Sequence, residues 1–236
     1  FSASSANTDL VTTAVIDNQL TLTLKPNVIG IVNVTVIATD GFLSNSKTFQ
    51  ITIRKKPVVV GDWKFAEISG TEADDSSENN NNGIIVGAVT FGEDGRKGKA
   101  IGFDNSGSDI EVGHPLAMAN QSLTINSWVK VKPETIGTPQ VIYEYGDSDL
   151  GYQLVIDGDA HATFVYRWGA GAEYALVTVD SIEVNDNYWH MLTVTVDATT
   201  KEVTLYVDGS SHSSVISNVT ISSAEPVESA RIGSPH

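Results

Sequence analysis

Apolar and polar residues alternate one by one through long parts of this chain. The pattern is clearest in SLTINSWVKV (122–131), GYQLVI (151–156), ATFVYRW (162–168), YWHMLTVTVD (188–197) and KEVTLYVDGS (201–210). A period of two puts successive side chains on opposite faces of a strand, one face on a core and the other on solvent. Leu123, Ile125 and Val129 therefore share one face, and Thr124, Asn126, Trp128 and Lys130 the other. Val203, Leu205 and Val207 lie together, opposite Thr204, Tyr206 and Asp208; His190, Leu192 and Val194 oppose Trp189, Met191 and Thr193. A short polar turn within 196–202 joins the last two segments as a hairpin. No helical periodicity of comparable length occurs, so the expected class is all-β and antiparallel.

Upstream, LTLTLKP (20–26), IVNVTVIATDG (31–41) and SKTFQITIR (46–54) predict three antiparallel strands, with turns at 27–30 and 40–44. This part has no tryptophan. KKPV (55–58) reads as a junction, because proline suits an edge or linker position. Two units are expected, 1–57 and 58–236. The second opens with an expected strand, VVVGDWKFAE (58–67), followed by an irregular polar stretch over 69–83. GIIVGAVTF (83–91) is apolar again, and 93–112 reads as turn, strand, turn and short strand. HPLAMAN (114–120) suits a single helical turn, 171–180 a further strand, and 219–233 one or two closing strands.

Composition narrows the function. The 236 residues contain no cysteine, which excludes disulfides and thiolate chemistry. That suits a protein working outside a bacterial cell without oxidative folding. A formal net charge of −15 repels phosphate backbones, so nucleic acid is not an expected partner, whereas loop carboxylates attract divalent cations. No apolar run is long enough to span a membrane, so no membrane insertion is expected. The opening FSASSANTD reads as the start of an internal fragment of a larger protein.

Two sets of residues carry resemblances. Leu22, Pro26, Gly30, Val34, Val36, Ala38, Asp40 and Gly41 resemble the closing half of a bacterial cadherin-like or immunoglobulin-like repeat. That resemblance implies a partial β-sandwich, with Asp40 as a calcium ligand near a domain junction. In the second unit Trp63, Phe65, Glu67, Gly70, Asp75, Ser76, Ser77, Asn81 and Gly83 stand in order. They are followed by GRKGKAIGFDNSGSDIEV, SLTINSWVK and YWHMLTVTVDATTKEVTLYVDG. Together these resemble the laminin-G-like, or concanavalin A-like, jelly-roll domain of secreted bacterial proteins. The resemblance implies an antiparallel jelly-roll β-sandwich with a structural calcium, for which Asp104, Asn105, Asp109 and Asp75 offer oxygens. DNSGSDIEV lacks the glycine spacing and terminal glutamate of an EF-hand loop. Family members continue beyond R-I-G (231–233) into a further strand, so an unpaired strand position is expected there.

Sugar recognition needs exposed aromatic rings beside hydrogen-bonding side chains. Trp168 ends a strand beside Arg167 and precedes GAG (169–171); Tyr145, Tyr174 and Tyr206 are the further candidates for a binding platform. Trp63, Trp128 and Trp189 occupy framework positions. Catalysis is not expected. EYGDSD (144–149) does not reproduce the E-x-D-x-x-E spacing of jelly-roll glucanases, the five histidines are scattered, and no G-x-S-x-G elbow occurs. The expectation is a non-catalytic extracellular or cell-surface module of a larger bacterial adhesin or polysaccharide-active protein. Its partners would be a glycan or cell-surface ligand and the neighbouring domains of the same protein. A structural spacer or protein–protein adhesion module stabilised by calcium, and a polysaccharide-degrading enzyme, are the alternatives.

Overall fold

A computed structural model describes residues 1–54, 57–104, 107–113, 122–133, 137–146, 150–169, 173–215 and 229–233. The chain divides into two compact units, Phe1–Val58 and Val59–His236. In the first, β4 (Gly30–Thr39) pairs antiparallel with β1 (Ser2–Ser5) and β5 (Ser44–Ile53), while β2 (Val11–Ile16) and β3 (Gln19–Leu24) form a separate hairpin. Asp17 and Asn18 both have positive φ at that turn, as a two-residue type I′ connection requires. β3, β4 and β5 are the three strands expected from alternation. β1 and β2 lacked that signal, because SASS and VTTAVI carry no clean period of two. Val11, Val32 and Val34 are the buried apolar residues of this unit.

The second unit is an antiparallel sandwich. Its larger sheet runs, in spatial order, β15 (Glu173–Glu183), β14 (His161–Gly169), β13 (Leu150–Ile156), β12 (Gln140–Gly146), β19 (Ala230–Ile232), β10 (Asp109–Gly113), β7 (Gly83–Val86) and β6 (Glu72–Ala73). The smaller runs β11 (Leu123–Lys130), β16 (Trp189–Asp197), β17 (Glu202–Val207) and β18 (Ser210–Val215). A short hairpin, β8 (Val89–Asp94) with β9 (Lys99–Phe103), completes the described strands.

Between the sheets lies one apolar cluster. Ile125, Val129, Leu192, Val194, Val203, Leu205 and Val207 come from the small sheet, and Ile110, Tyr143, Tyr145, Tyr152, Leu154, Phe164, Tyr166 and Val177 from the large one. The small-sheet members are those that alternation placed inward. Close packing of such side chains supplies the main favourable term of the fold. β12 and β13 approach so closely at Gly146 and Gly151 that a Cβ on either would strike the opposite backbone. Both also have positive φ, so glycine is required twice over.

The segment 58–67 is not a strand, apart from one bridge between Trp63 and Asp75. Side chains take the place of a partner strand. Asn79 Nδ2 donates to Val59 O (2.7 Å), Asn81 Nδ2 to Val60 O (2.7 Å), and Trp63 Nε1 to Asn81 O (2.9 Å). Phe65 at φ 51° breaks the extended path. The expected helical turn at 114–120 lies outside the described residues, as does most of 219–233, where β19 is the observed strand. β12 and β18 escaped the alternation argument: a register shift between Val141 and Tyr143 interrupts the first, and SSHSSV has little apolar content.

At one end of the small sheet His190 is held between two carboxylates, with Nδ1 2.7 Å from Asp208 Oδ2 and Nε2 3.0 Å from Asp186 Oδ1. Burial lowers the imidazole pKa, but the two carboxylate bonds outweigh it and raise it above its ordinary value. The folded state therefore binds the proton more tightly than the unfolded chain, and the clamp stabilises fully below the unfolded pKa of about 6.5. Its contribution is lost as pH rises through the raised folded value. Urea titrations are expected to show a falling midpoint from pH 6 towards pH 8, and His190→Gln should flatten that slope. Gly151→Ala is expected to lower the unfolding free energy by about 2 kcal/mol or more at any pH, from combined clash and positive-φ strain.

Candidate functional site

Because paired residues on adjacent strands share a face, the register of the large sheet fixes what lies on the side away from the core. One straight cross-strand row runs Glu72, Ile84, Glu111, Arg231, Glu144, Gln153, Val165 and Leu176. Ile110 and Val112 point inward, so Asp109 and Glu111 point outward; Ala230 and Ile232 do the same for Arg231 on the three-residue β19. Val141, Val155 and Val165 make a small second apolar cluster on this outer face.

The middle of the row is charged. Arg231 stands 3.9 Å from Asp109, 3.7 Å from Glu111 and 3.8 Å from Glu144, and Gln153 Nε2 donates to Glu144 Oε2 at 3.0 Å. Glu144 is 5% exposed and Asp109 8%, whereas the Glu111 side chain is 41% exposed. Asp109 Oδ1 is buried and has no hydrogen-bond partner among the described residues. Burial pushes the Asp109 carboxyl above the usual carboxylate range; Arg231 opposes the shift, and Glu111 and Glu144 add to it. Three carboxylates around one guanidinium leave the cluster acidic and rich in acceptors.

The residues expected to form one sugar platform are dispersed. Arg167 and Tyr174 face each other across β14 and β15, with Trp168 next in line on β14; the side chains of Trp168 and Tyr174 lie outside the described set. Tyr206 belongs to the small sheet, opposite Thr193. Tyr145 is 2% exposed and packs in the core, its ring centroid 5.7 Å from that of Tyr152, which in turn lies 5.8 Å from Phe164. It has no face for a ligand, and its assignment as a stacking residue is corrected: alternation does not say which of the two faces an aromatic strand buries.

Two of the expected calcium ligands, Asp75 and Asp40, are engaged by the N–H groups of their own loops. Asp75 Oδ1 accepts from the N–H groups of Asp62 and Ser77 (both 2.8 Å), and Oδ2 from Asn81 N–H (2.9 Å) and the Ser77 hydroxyl (2.6 Å). Burial raises its carboxyl, but these bonds prevail and lower it to about 2. Asp75 thus organises the 62–81 loop. Asp40 accepts from Leu43 N–H (2.8 Å) and Phe42 N–H (2.9 Å) in a turn, and these bonds lower its pKa. Asp104 is exposed and accepts from Ser108 Oγ at 3.4 Å, Asp109 faces Arg231, and Asn105 lies outside the described residues. Among the described residues no three His, Asp or Glu side chains converge as a metal set.

Sequence reasoning missed Glu111, Glu144, Gln153 and Arg231 as a group. Glu144 was weighed only against the acids that follow it in sequence, while its partners Arg231 and Gln153 come from β19 and β13. The available signal was that each is a polar residue between two core-facing ones.

Comparison with solved structures finds similar folds in botulinum neurotoxin binding domains. The serotype D binding domain matches at 15% identity with a TM-score of 0.50, covering 70% of this chain and 41% of that one. The serotype G binding domain gives 19%, 0.47, 68% and 38%. A type C structure, described as showing that cell entry depends on interaction with two ganglioside molecules, gives 12%, 0.48, 69% and 40%. At such identities the likeness concerns the fold alone, and the chain spans about two fifths of the length of the solved chains it matches. No curated protein sequence matches it. Residues 104–234, more than half of the chain, match the concanavalin A-like lectin/glucanases superfamily, and the chain belongs to that superfamily.

Proposed function

We infer that the second unit is a non-catalytic glycan-recognition module, reading saccharide hydroxyls with the outer face of its large sheet. The observation that carries this reading is the row Glu111–Arg231–Glu144–Gln153, four polar side chains from four adjacent strands on one face. Sugars are bound through such converging donors and acceptors on a rigid support. Membership in a superfamily of lectins and glucanases leaves both binding and hydrolysis open. The geometry favours binding. Glycoside cleavage needs two carboxyls flanking an open space of about 5–9 Å. Here the guanidinium of Arg231 stands among the acids, and the most buried of them, Glu144, is tied to Arg231 and Gln153. The reading implies a role outside the cell, where polysaccharides are met, as one part of a larger protein.

A glycan array probed with the whole chain should retain a defined saccharide class, with Kd about 1 mM or tighter by calorimetry. Gln153→Ala and Arg231→Lys should each weaken it about tenfold while leaving the thermal transition cooperative, the loss expected for one charge-assisted hydrogen bond. An array with no retained saccharide, or binding indifferent to both substitutions, would remove the reading.

A further inference from the structure

The hairpin β8–β9 turns through GRKG (95–98), where the Gly95 N–H donates to Gly98 O (3.1 Å) and Arg96 and Lys97 form the exposed tip. A Cβ at Gly95 would strike the Lys99 backbone, and Gly98 has positive φ, so both glycines serve the tight turn. The tip carries the Arg96 guanidinium over the ring of Trp128, with Cζ 5.2 Å from the centroid. Trp128 stands on the outer face of the small sheet and is 42% exposed. Met191 lies opposite it, and Lys130, exposed on the same face, lies opposite Trp189. Arg96, Lys97 and Lys130 enter no ion pair among the described residues, and no donor of Arg96 meets an acceptor there. Two neighbouring acids are engaged elsewhere: Asp94 pairs with Lys99 (3.1 Å), and Asp208 is bonded to His190 Nδ1 (2.7 Å) and the Met191 N–H (2.8 Å).

We propose that Arg96, Trp128 and Lys130 form a second recognition site, on the small sheet, for saccharides that carry an isolated uronate on an otherwise neutral backbone. This goes beyond the large-sheet reading and does not depend on it. A guanidinium presents a planar fork of N–H donors that matches both oxygens of a carboxylate. A cation–π contact holds the cation without placing any of those donors on an acceptor. Trp128 thus orients Arg96 in advance and leaves its hydrogen bonds for a ligand, and such preorganisation lowers the cost of binding. Lys130 adds positive charge on the same face, and Trp128, Met191 and Trp189 give an apolar surface on which a pyranose face can rest. The net charge of −15 does not cancel this local attraction, because exposed charges beyond about 8 Å are largely screened at physiological salt. A densely charged polyanion fits less well, since it would run past these few cations onto a surface that is acidic on balance.

The test is calorimetry on the whole chain at physiological salt with xylotetraose bearing one glucuronate, the methyl ester of the same oligosaccharide, and plain xylotetraose. The acid should bind with Kd about 1 mM or tighter, and the ester and the plain backbone about tenfold more weakly, the order of one charge-assisted hydrogen bond. Arg96→Gln should lose that tenfold. Arg96→Lys should lose most of it as well, because an ammonium keeps the charge but not the fork. Lys130→Gln should weaken binding about threefold, and Lys64→Gln, as a control, not at all. Arg96 and Lys130 are exposed, so their substitution leaves the fold intact, which an unchanged thermal transition checks. Equal affinity for acid and ester, or an Arg96→Lys variant that binds like the parent, would overturn the proposal. A tetrapeptide with one glutamate, or a single-stranded decanucleotide, binding as tightly through Arg96 would overturn the saccharide assignment. Each of these results leaves the large-sheet reading to its own test.

Discussion

The closing of two antiparallel sheets over one layer of aliphatic and aromatic side chains is the constraint on which the rest of the second unit depends. Leu192, Val194, Val203, Leu205 and Val207 present a continuous aliphatic surface, and Tyr152, Phe164, Leu154 and Ile110 meet it from the other sheet. Fully burying one such side chain is worth about 1.5–3 kcal/mol, and the layer holds many. No disulfide assists, since the chain has no cysteine. A one-residue slip of any strand would turn its inner set to water and bring its polar set inside. Burial therefore fixes register, and register fixes everything on the outer faces.

The acidic row is a consequence of that rule. β19 is three residues long and lies between β10 and β12. So short a strand has little pairing energy of its own; its place is set by Ala230 and Ile232 packing inward on both neighbours. Arg231 then has one direction left, and the acids of β10 and β12 are already there. The same three residues join the two parts of the large sheet and deliver the guanidinium that stands 3.9, 3.7 and 3.8 Å from Asp109, Glu111 and Glu144. Structure and candidate chemistry share one element because the central position of the sheet is also the centre of the row.

This division explains what the chain disclosed in advance. Alternation in 122–131 and 188–210 assigned Ile125, Leu192 and Leu205 to the core because in those segments period and hydrophobicity agree. It was not applied to Tyr145, where YEY alternates two large residues with an acid and the inward face takes the rings. It failed for 58–67, where an apolar start suggested a strand but Asn79 and Asn81 side chains satisfy its carbonyls. Arg231 was visible only as part of R-I-G, with no hint of its partners: a site assembled across strands from distant parts of a chain leaves no local spacing to read. The scattered aromatics drew attention instead, and they proved to be divided among the core, the end of β14–β15 and the small sheet.

The loop carboxylates show the other side of the same accounting. An aspartate in a polar loop has four lone-pair directions to satisfy. At Asp75 the protein fills them with three backbone N–H groups and a hydroxyl, and so it gains a structured 62–81 loop in place of a strand. At Asp109 the fold leaves one oxygen buried and without a partner among the described residues, on a strand whose position the core dictates. Equal side chains thus carry opposite implications. The saturated one accounts for itself, while the unsaturated one imposes a standing cost that neither sheet pairing nor core packing recovers.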